Sequence, residues 1–393
     1  MKLENNELKL LNILEKRYNT KYSKPFRGYI CIFIQHLLGS NLSLIRSLEK
    51  GGIEKNKLYI IGKAYSSNDD VLEYLKNNGY NYKNPIQGYS IDTCYDEIFK
   101  NEIRETLFKV LESSNLPVLL IDDAAKGICI VHEKPFLKHI SRFKCVELTT
   151  RGIRELRKLE LKCPVVDVAS SYAKRNVESV IIAESMTDEF LRFLHKWNDY
   201  YRPQNNHILL IGYGAIGRRV YKRLSSLYHI TVYDIDEQVC VQAQEENVNI
   251  TYDITTEHYG IIIGCTGLSI NLEQLLQHSG TLFINMSSSD LEFGLWRFRG
   301  YKEHMRIRLN APLIERRLHE FYYIKKGNKE FYIANGGFPI DFTGSIDPII
   351  PSKIQITRAL VFAAAIQTLT EKETGLINLN KEIQKELIKN YSL

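Results

Sequence analysis

Three glycines near the middle of the chain have the spacing of a phosphate-binding turn. Gly212, Gly214 and Gly217 follow the apolar run Ile208–Ile211 in the pattern G-x-G-x-x-G. In this pattern the first glycine makes a tight turn, the second lets the backbone approach a pyrophosphate, and the third lets the next helix pack closely on the strand. The helix N-terminus then offers free amides to the phosphates. The pattern predicts a dinucleotide site.

The sequence around the glycines supplies the expected context. Ala215 and Ile216 lie between the last two glycines, Arg218–Leu227 predicts a helix, and Ile230–Tyr233 predicts a second strand that ends at Asp234. A carboxylate at this position would bind the adenosine ribose hydroxyls and repel a ribose 2′-phosphate. We therefore predict NAD as the cofactor, with a Rossmann-like fold that holds no nucleotide as the alternative.

Composition indicates a soluble globular chain of two or three domains. Of its 393 residues, 44% are apolar and 25% are charged, and the net charge of +6 is spread without basic blocks, so no nucleic-acid partner is expected. The seven cysteines form no C-x-x-C pair, which favours a reduced, cytoplasmic protein without a metal site.

Met1–Tyr18 predicts an amphipathic helix, and no membrane segment is expected. The stretch Trp296–Lys302 interleaves aromatic and basic residues, and this pattern favours an amphipathic edge strand over the alternative of a segment that binds phosphate or a nucleic acid strand.

Apolar runs of strand length alternate with helical patterns along most of the chain. The predicted strands outside the glycine motif are Tyr29–Ile34, Leu58–Ile61, Val118–Ile121, Val165–Val168, Gly260–Gly264, Thr281–Asn285 and Phe331–Ala334. This alternation predicts an α/β fold with two lobes, a Rossmann NAD-binding domain and an α/β substrate-type domain, with a cleft between them. We place the substrate-type domain at 1–185, the Rossmann domain at 186–350, and C-terminal helices that return to the first domain at 351–393.

Several short segments occur in the same order as motifs of one enzyme family. They are Pro25–Gly28 with His36, Asp122–Asp123, Thr149–Gly152, Pro164–Lys174, Cys265–Gly267, Asn285 and Asn335–Gly337. Together with the glycine motif they resemble the S-adenosylhomocysteine hydrolase (adenosylhomocysteinase) family over nearly the whole chain. The resemblance implies a tightly held NAD that transiently oxidises the substrate's ribose 3′-hydroxyl. It also implies a homodimer or tetramer, although the chain ends about where the family begins a tail that reaches a neighbouring subunit.

The resemblance also implies roles for residues outside the glycine motif. Thr149 and Thr150 match family residues near the cofactor, Thr266 and Gly267 match the turn beside the nicotinamide, and Asn285 begins a matched loop. We therefore expect these five residues to contribute to NAD binding.

Four side chains are candidates for proton transfer. Lys174 matches the family's catalytic lysine, and Glu178 lies where the family has an aspartate. A partly desolvated lysine can act as the base that takes a hydroxyl proton. The alternative is a solvated i, i+4 ion pair without function. His36 and Asp123 would form a second proton-transfer centre, although a histidine after a strand can be a core residue and aspartates can cap a turn.

The sequence departs from the family at the substrate-binding positions. Leu38 and Ser40 replace a threonine and an acid that help hold adenosine, Leu148 replaces a glutamate, Ser288 replaces a histidine, and Asp347 replaces a histidine of the adenine pocket. We therefore expect an NAD-dependent enzyme that oxidises a hydroxyl of a different small molecule, a nucleoside- or sugar-like substrate. Two alternatives stay open: a catalytically inactive NAD-binding regulatory or partner protein, and a divergent true adenosylhomocysteinase.

Overall fold

The computed structural model describes residues 8–22, 24–87, 89, 92–199, 201–298, 303–307 and 321–391. The helices are α1 (Lys9–Tyr22), α2 (Gly39–Lys50), α3 (Asp69–Asn77), α4 (Tyr95–Ser113), α5 (Lys126–Val131), α6 (Thr150–Leu156), α7 (Ser179–Lys196), α8 (Ala215–Leu224), α9 (Glu237–Glu245), α10 (Leu272–Leu275), α11 (Pro351–Thr370) and α12 (Lys381–Tyr391). The strands are β1 (Ile30–Gln35), β2 (Leu58–Gly62), β3 (Asn81–Lys83), β4 (Val118–Asp122), β5 (Phe143–Glu147), β6 (Pro164–Asp167), β7 (His207–Ile211), β8 (His229–Tyr233), β9 (Ile261–Gly264), β10 (Thr281–Asn285), β11 (Glu303–Ile307), β12 (Phe321–Lys326), β13 (Lys329–Ile333) and β14 (Gly375–Asn378).

The chain divides into two compact units, so the predicted α/β fold with two lobes is confirmed. Unit 1 contains residues 1–87, 98–178 and 344–393, and unit 2 contains 88–97 and 179–343. The boundaries lie at 178/179 and 343/344, several residues before the predicted ones. Segment 88–97, which we predicted in the first domain, belongs to unit 2 because the rings of Tyr89 and Tyr95 pack on Phe338.

Unit 1 is built on a seven-stranded sheet with the order β14-β6-β5-β4-β1-β2-β3. All six neighbouring pairs are parallel. The strand order runs outward in both directions from the pair β1 and β4, so this pair is the topological switch point. Ligands of open α/β sheets bind outside the carboxyl ends of strands at such a point.

The long helix α11 closes one side of the unit 1 core. It contacts α1, α2, β5 and β6, and it is buried along most of its length. Most of its buried side chains are apolar, and Thr357 and Arg358 are buried polar exceptions. Helix α11 begins at Pro351, where the segment predicted to form C-terminal helices also begins, and proline is favoured in the first turn of a helix.

Unit 2 has a seven-stranded sheet with the order β11-β12-β13-β10-β9-β7-β8. Strands β8, β7, β9, β10 and β13 are parallel, and β12 pairs antiparallel with β13 and β11. The switch point lies between β7 and β9, so the glycine motif follows a central strand.

The described part of the predicted edge strand Trp296–Lys302 does not form a strand. Leu295–Phe298 forms a short 3₁₀ turn, and 299–302 lie outside the described residues. The Arg297 guanidinium donates to the carbonyl oxygens of Glu292 and Ile270. This arginine therefore connects two backbone segments of unit 2.

In the described part of the chain, every helix is too short or too polar to span a bilayer. The described residues also contain no group of three or more His, Cys, Asp or Glu side chains placed to hold a metal ion. All seven cysteines are free, and the Sγ atoms of Cys145 and Cys163 lie 3.7 Å apart in the unit 1 core.

A buried carboxyl in unit 2 makes stability depend on pH. Asp290 is fully buried, and burial together with nearby Asp96 raises its pKa to about 7. Its side chain accepts the Tyr95 N–H, at 3.2 Å, and contacts the Ser289 hydroxyl, at 3.1 Å. A carboxyl whose pKa is raised by folding stabilises the protein most at low pH, and this contribution is lost as pH rises through about 7.

We expect Asp290→Asn to be more stable than the wild type at pH 8, by about 1–3 kcal/mol, and to depend less on pH between 5 and 8. The amide keeps an acceptor for Tyr95 and cannot ionise. Denaturant unfolding at both pH values measures the difference. Glu245→Gln, an exposed carboxylate of the same unit, is the control and should match the wild type. An equal pH slope in Asp290→Asn would contradict the assignment.

Candidate functional sites

Each glycine of the motif has a separate structural reason in unit 2. Gly212 has φ +97°, and a Cβ there would meet Thr266. A Cβ on Gly217 would overlap the Gly212 carbonyl oxygen, so this glycine lets α8 pack against the turn. A Cβ on Gly214 would meet nothing within 4 Å. Gly214 is exposed and faces open space, where a ligand can approach the backbone.

The N-terminus of α8 fits a phosphate. The helix begins at Ala215 with Gly214 as its N-cap, and no side chain caps it. The amides of Ala215, Ile216 and Gly217 accordingly have no acceptor among the described residues. Uncapped amides and the helix dipole favour an anion at this end.

The predicted ribose-binding carboxylate lies at the end of the neighbouring strand. Asp234 follows β8, and its side chain accepts the N–H of Tyr213, at 2.7 Å, and of Asp236, at 3.0 Å. These bonds orient the carboxylate beside the glycine turn. The next residue, Ile235, is 83% exposed.

A buried glutamate that we did not predict organises the other side of this site. Glu292 accepts the N–H and hydroxyl of Thr266, at 2.7 and 2.5 Å, and the N–H of Gly267, at 3.3 Å. It also accepts the Ser287 hydroxyl, at 2.5 Å. Burial raises the pKa of Glu292, although these hydrogen bonds oppose the shift. The turns after β9 and β10 are thereby joined through one carboxyl group.

The side chain of Asn285 is used within unit 2. Its amide nitrogen donates to the carbonyl oxygens of Ser289, at 2.6 Å, and Gly337, at 2.8 Å, and its oxygen accepts from Ser287. The residue is 1% exposed. It therefore connects the loop after β10 with the segment around Gly337, which we had matched to the family's order of motifs.

Three side chains meet at the carboxyl ends of the central strands of unit 1. His36 follows β1, Lys63 follows β2 and Asp123 follows β4. The His36 Nε2 atom lies 3.5 Å from an Asp123 carboxylate oxygen, and the Lys63 ammonium lies 2.5 Å from the other oxygen. Both partners of the ion pair are buried. The structure therefore brings together the predicted His36 and Asp123 with a lysine that we did not predict.

Electrostatics sets the protonation of this cluster. Burial opposes ionisation of Asp123, but Lys63 and His36 outweigh it and lower the pKa of the carboxyl to about 2. Burial and the Lys63 charge lower the pKa of His36 to about 3. At neutral pH the site therefore contains a carboxylate and a neutral imidazole. A neutral imidazole has one N–H, so it cannot donate both to Asp123 and to the Ser66 hydroxyl, 2.6 Å from Nδ1.

The two neighbouring aspartates have different roles. Asp122 is fully buried, and it accepts the Ile128 N–H, at 2.9 Å, in the first turn of α5. Burial raises the pKa of Asp122 to about 6. The expectation that aspartates here could cap a turn thus describes Asp122, whereas Asp123 faces Lys63 and His36.

Glu147 supports the turn that positions Asp123. It is fully buried at the end of β5, and it accepts the N–H groups of Ala124, Ala125 and Thr149, at 3.2, 2.8 and 2.7 Å. Both alanines have positive φ, +83° and +55°. Such a conformation is strained for alanine and persists where surrounding bonds hold it. A Cβ on Gly152 would overlap the Glu147 carboxylate, so that glycine is required for this contact.

Lys174 and Glu178 form a partly buried pair. Their side-chain N and O atoms are 2.6 Å apart, and the side chains are 18% and 6% exposed. The pair is therefore more buried than the solvated i, i+4 ion pair that was the alternative expectation. Residues Lys174–Glu178 form a π-helical turn before α7, a feature that is frequent at functional sites. The second Glu178 oxygen is buried without a partner among the described residues.

The predicted cofactor residues of unit 1 have mainly local contacts. The Thr149 hydroxyl accepts the Gly152 N–H, at 2.9 Å, as the N-cap of α6, and donates to Glu147, at 2.5 Å. Thr150 is exposed at the start of α6. Their predicted contact with NAD stays a proposal.

A second polar group in unit 1 surrounds Ser40. The Asp347 carboxylate accepts the Ser40 N–H, at 3.0 and 3.1 Å, and Arg358 donates to the Ser40 hydroxyl, at 3.1 and 3.3 Å. Burial raises the pKa of Asp347, and burial lowers the pKa of Arg358. Gly39 permits this approach, because a Cβ there would lie 2.7 Å from an Asp347 oxygen.

Sequence reasoning missed four residues that shape these sites: Lys63, Glu147, Glu292 and Arg358. For Lys63 a signal was present, since it directly follows a predicted strand, as His36 does. For Glu147 and Arg358 the only signal was a charge beside or within an apolar pattern. Such a charge reveals its partners only after the chain has folded.

Comparison with known sequences finds a domain match within unit 2 and distant relatives over most of the chain. The TrkA-N domain model matches residues 208–258, which contain the glycine motif and Asp234. An uncharacterized protein of Mycobacterium tuberculosis is 27% identical over 348 residues, which are 86% of this chain and 64% of that protein. The chain therefore spans less than two thirds of the length of this relative.

Two relatives carry enzyme names. An adenosylhomocysteinase of Pyrococcus abyssi is 25% identical over 329 residues, covering 80% of this chain and 70% of the relative. An S-inosyl-L-homocysteine hydrolase of Methanothermobacter thermautotrophicus is 24% identical over 322 residues, covering 80% and 69%. The chain is thus distantly similar to adenosylhomocysteinase-like proteins, which supports the resemblance stated from its motifs.

We expect Lys63→Met to raise the pKa of the His36 imidazole, because a cation that opposes its protonation is removed. The pH dependence of the His36 ring ¹³C and ¹⁵N chemical shifts measures this change. Lys57→Met, in the same unit but paired with Glu54, is the control and should leave the His36 titration as in the wild type. If both variants titrate like the wild type, Lys63 does not set the charge of the cluster.

Proposed function

We propose that this protein is an adenosylhomocysteinase-like, NAD-dependent enzyme that oxidises a hydroxyl of a nucleoside- or sugar-like substrate other than S-adenosylhomocysteine. One observation carries the proposal. The residues proposed for proton transfer, His36 with Asp123 and Lys174 with Glu178, come after strands β1, β4 and β6 of the unit 1 sheet, and unit 2 has an open glycine turn followed by an uncapped helix.

The residues of unit 2 fit NAD. The pyrophosphate would bind at the amides of Ala215–Gly217, and Gly214 would leave room for it. Asp234 would accept hydrogen bonds from the adenosine ribose and disfavour a 2′-phosphate. Thr266 and Gly267, held by Glu292, would lie in the nicotinamide part of the site, and Asn285 would position the adjoining loop. Bound NAD supplies a hydride acceptor.

Lys174 and Glu178 would handle the proton of the oxidised hydroxyl. Loss of a hydride from carbon requires a base for the hydroxyl proton. Lys174 can take that proton when its amine is neutral, and Glu178, 2.6 Å away, can accept a proton from the ammonium. The second oxygen of Glu178, which is buried and has no hydrogen-bond partner within the described ranges, would be a further acceptor for a substrate hydroxyl.

His36 and Asp123 would serve a second proton transfer. The imidazole is neutral because of burial and Lys63, so it can accept a proton or a hydrogen bond from a ligand. Asp123 stays ionised and would stabilise the imidazolium that forms. Lys63 is a positioning residue, since its contact is with Asp123.

The surroundings of Ser40 support a substrate other than S-adenosylhomocysteine. Positions that the resemblance assigns to adenosine binding carry Ser40 and Asp347, and the two are bonded to each other. A pocket whose polar groups are arranged differently rejects the original ligand, because each unpaired polar group costs about 1–3 kcal/mol of binding.

The first test is the nucleotide released on denaturing freshly purified protein, measured by absorbance and mass spectrometry. We expect NAD or NADH from the wild type and its loss from Asp234→Ala and Gly214→Ala. Gly214→Ala should keep the stability of the wild type, because the added methyl group faces open space. Gly217→Ala should instead destabilise the fold.

Asp253→Ala, an exposed aspartate of the same unit, is the matched control for Asp234→Ala. If the wild type releases no nucleotide and binds none when NAD is added back, the proposal of an NAD-dependent enzyme fails, and a Rossmann scaffold used for partner binding becomes the better description.

The second test is turnover. With added nucleosides and sugars as substrates, we expect Lys174→Gln to reduce the rate of NADH formation by about 100-fold or more, because the base is lost. Lys385→Gln, in an exposed lysine and glutamate pair of unit 1, should keep full activity. Retained activity in Lys174→Gln would exclude the proposed base, and release of homocysteine from S-adenosylhomocysteine would instead indicate a true adenosylhomocysteinase.

A further inference from the structure

Arg358 is a buried arginine with few polar partners among the described residues. It lies in the apolar helix α11 and is 6% exposed. Its hydrogen bonds among the described residues go to one atom, the Ser40 hydroxyl oxygen, from Nε at 3.3 Å and from one terminal nitrogen at 3.1 Å. No carboxylate of the described residues lies within ion-pair distance. A guanidinium has five N–H donors, so most of them are unused here.

Burial of such a cation needs compensation. Hydrogen bonds to one hydroxyl replace the hydration of the guanidinium only in part, and burial lowers the pKa of Arg358 although nearby carboxylates oppose the shift. Asp347, Glu178 and Asp123 are close enough to affect Arg358 electrostatically. None of them forms a hydrogen bond to it among the described residues. Their proximity puts the guanidinium beside the proposed proton-transfer groups.

The geometry of the guanidinium limits the kind of ligand. The edge formed by Nε and one terminal nitrogen is directed at Ser40, which leaves the edge between the two terminal nitrogens. That edge matches two oxygens of a planar or tetrahedral oxyanion. Ser40 is itself anchored through its N–H by Asp347, so the orientation of Arg358 is set before a ligand binds.

We propose that Arg358 binds a carboxylate or phosphate group of the substrate, so that the preferred substrate is an acidic sugar or nucleoside derivative. This inference rests on the proposed function, because it takes the His36 and Lys174 groups as the reacting site. Arg358 is the specificity-determining residue, and Ser40 positions it.

The test compares pairs of probes that differ in one anionic group, each measured by calorimetry with NAD in excess so that the nucleotide site is filled. The pairs are ribose with ribose 5-phosphate, uridine with uridine 5′-monophosphate, and glucose with glucuronate. The first two pairs report on phosphate and the third on carboxylate. We expect the anionic member of at least one pair to bind about tenfold more tightly or better, and the gain to disappear in Arg358→Gln.

Arg104→Gln, an exposed arginine of unit 1, is the control and should keep the preference. Arg358→Lys keeps the charge but not the two-nitrogen edge, and it should retain only part of the gain. If Arg358→Gln does not fold, Arg358→Lys and Ser40→Ala provide the same comparison. The inference is overturned if no pair shows a preference for the anion, or if the preference survives loss of Arg358.

Failure of this inference and failure of the proposed function give different results. Tight binding of an anionic probe without NADH formation from any substrate would contradict the proposed enzymatic function and support the anion site. NADH formation from neutral sugars, with no preference for anions, would support the enzymatic function and contradict the anion site.

Discussion

Buried glutamates that hold backbone amides are the constraint on which both sites depend. Glu147 connects the turn after β4 with the turn after β5, and Glu292 connects the turns after β9 and β10. In each unit these turns follow strands near the switch point of a parallel sheet. Loops at this edge would otherwise leave buried amides unpaired, at a cost of about 1–3 kcal/mol each. One carboxylate in each unit satisfies several of them and keeps the loops in one conformation.

Strain and electrostatics are combined in unit 1. Glu147 holds Ala124 and Ala125 in left-handed conformations, and the residue before them, Asp123, is thereby aimed at Lys63. Lys63 in turn keeps Asp123 ionised and helps keep His36 neutral. Both groups change protonation well below neutral pH, so a carboxylate and a neutral imidazole lie side by side at pH 7. The same unit holds a second buried cation, Arg358, whose hydrogen bonds among the described residues go to Ser40.

Much of the architecture follows from short-range patterns. The strands that we predicted from apolar runs, such as Val118–Ile121 and Thr281–Asn285, agree with β4 and β10 within a residue or so. Strand β5 was missed because Lys144 interrupts its apolar run, although the lysine reaches the Glu371 carbonyl oxygen at its end. Strand β14 was missed because it is four residues long and half-buried, and its partner β6 lies about 200 residues earlier in the chain.

The sequence by itself determined the Rossmann glycine turn, the carboxylate at Asp234 and the α/β class, because turn geometry and hydrophobic period depend on residues a few positions apart. Only the tertiary structure decided that Asp122 caps a helix while Asp123 joins a charge cluster, and that Lys174 and Glu178 are buried. It also decided that Ser40 meets Asp347 and Arg358, although it is about 300 residues from both of them in sequence. The physical reason is that charge and hydrogen bonding depend on burial and on partners distant in sequence, and both exist only once the parallel strands are paired.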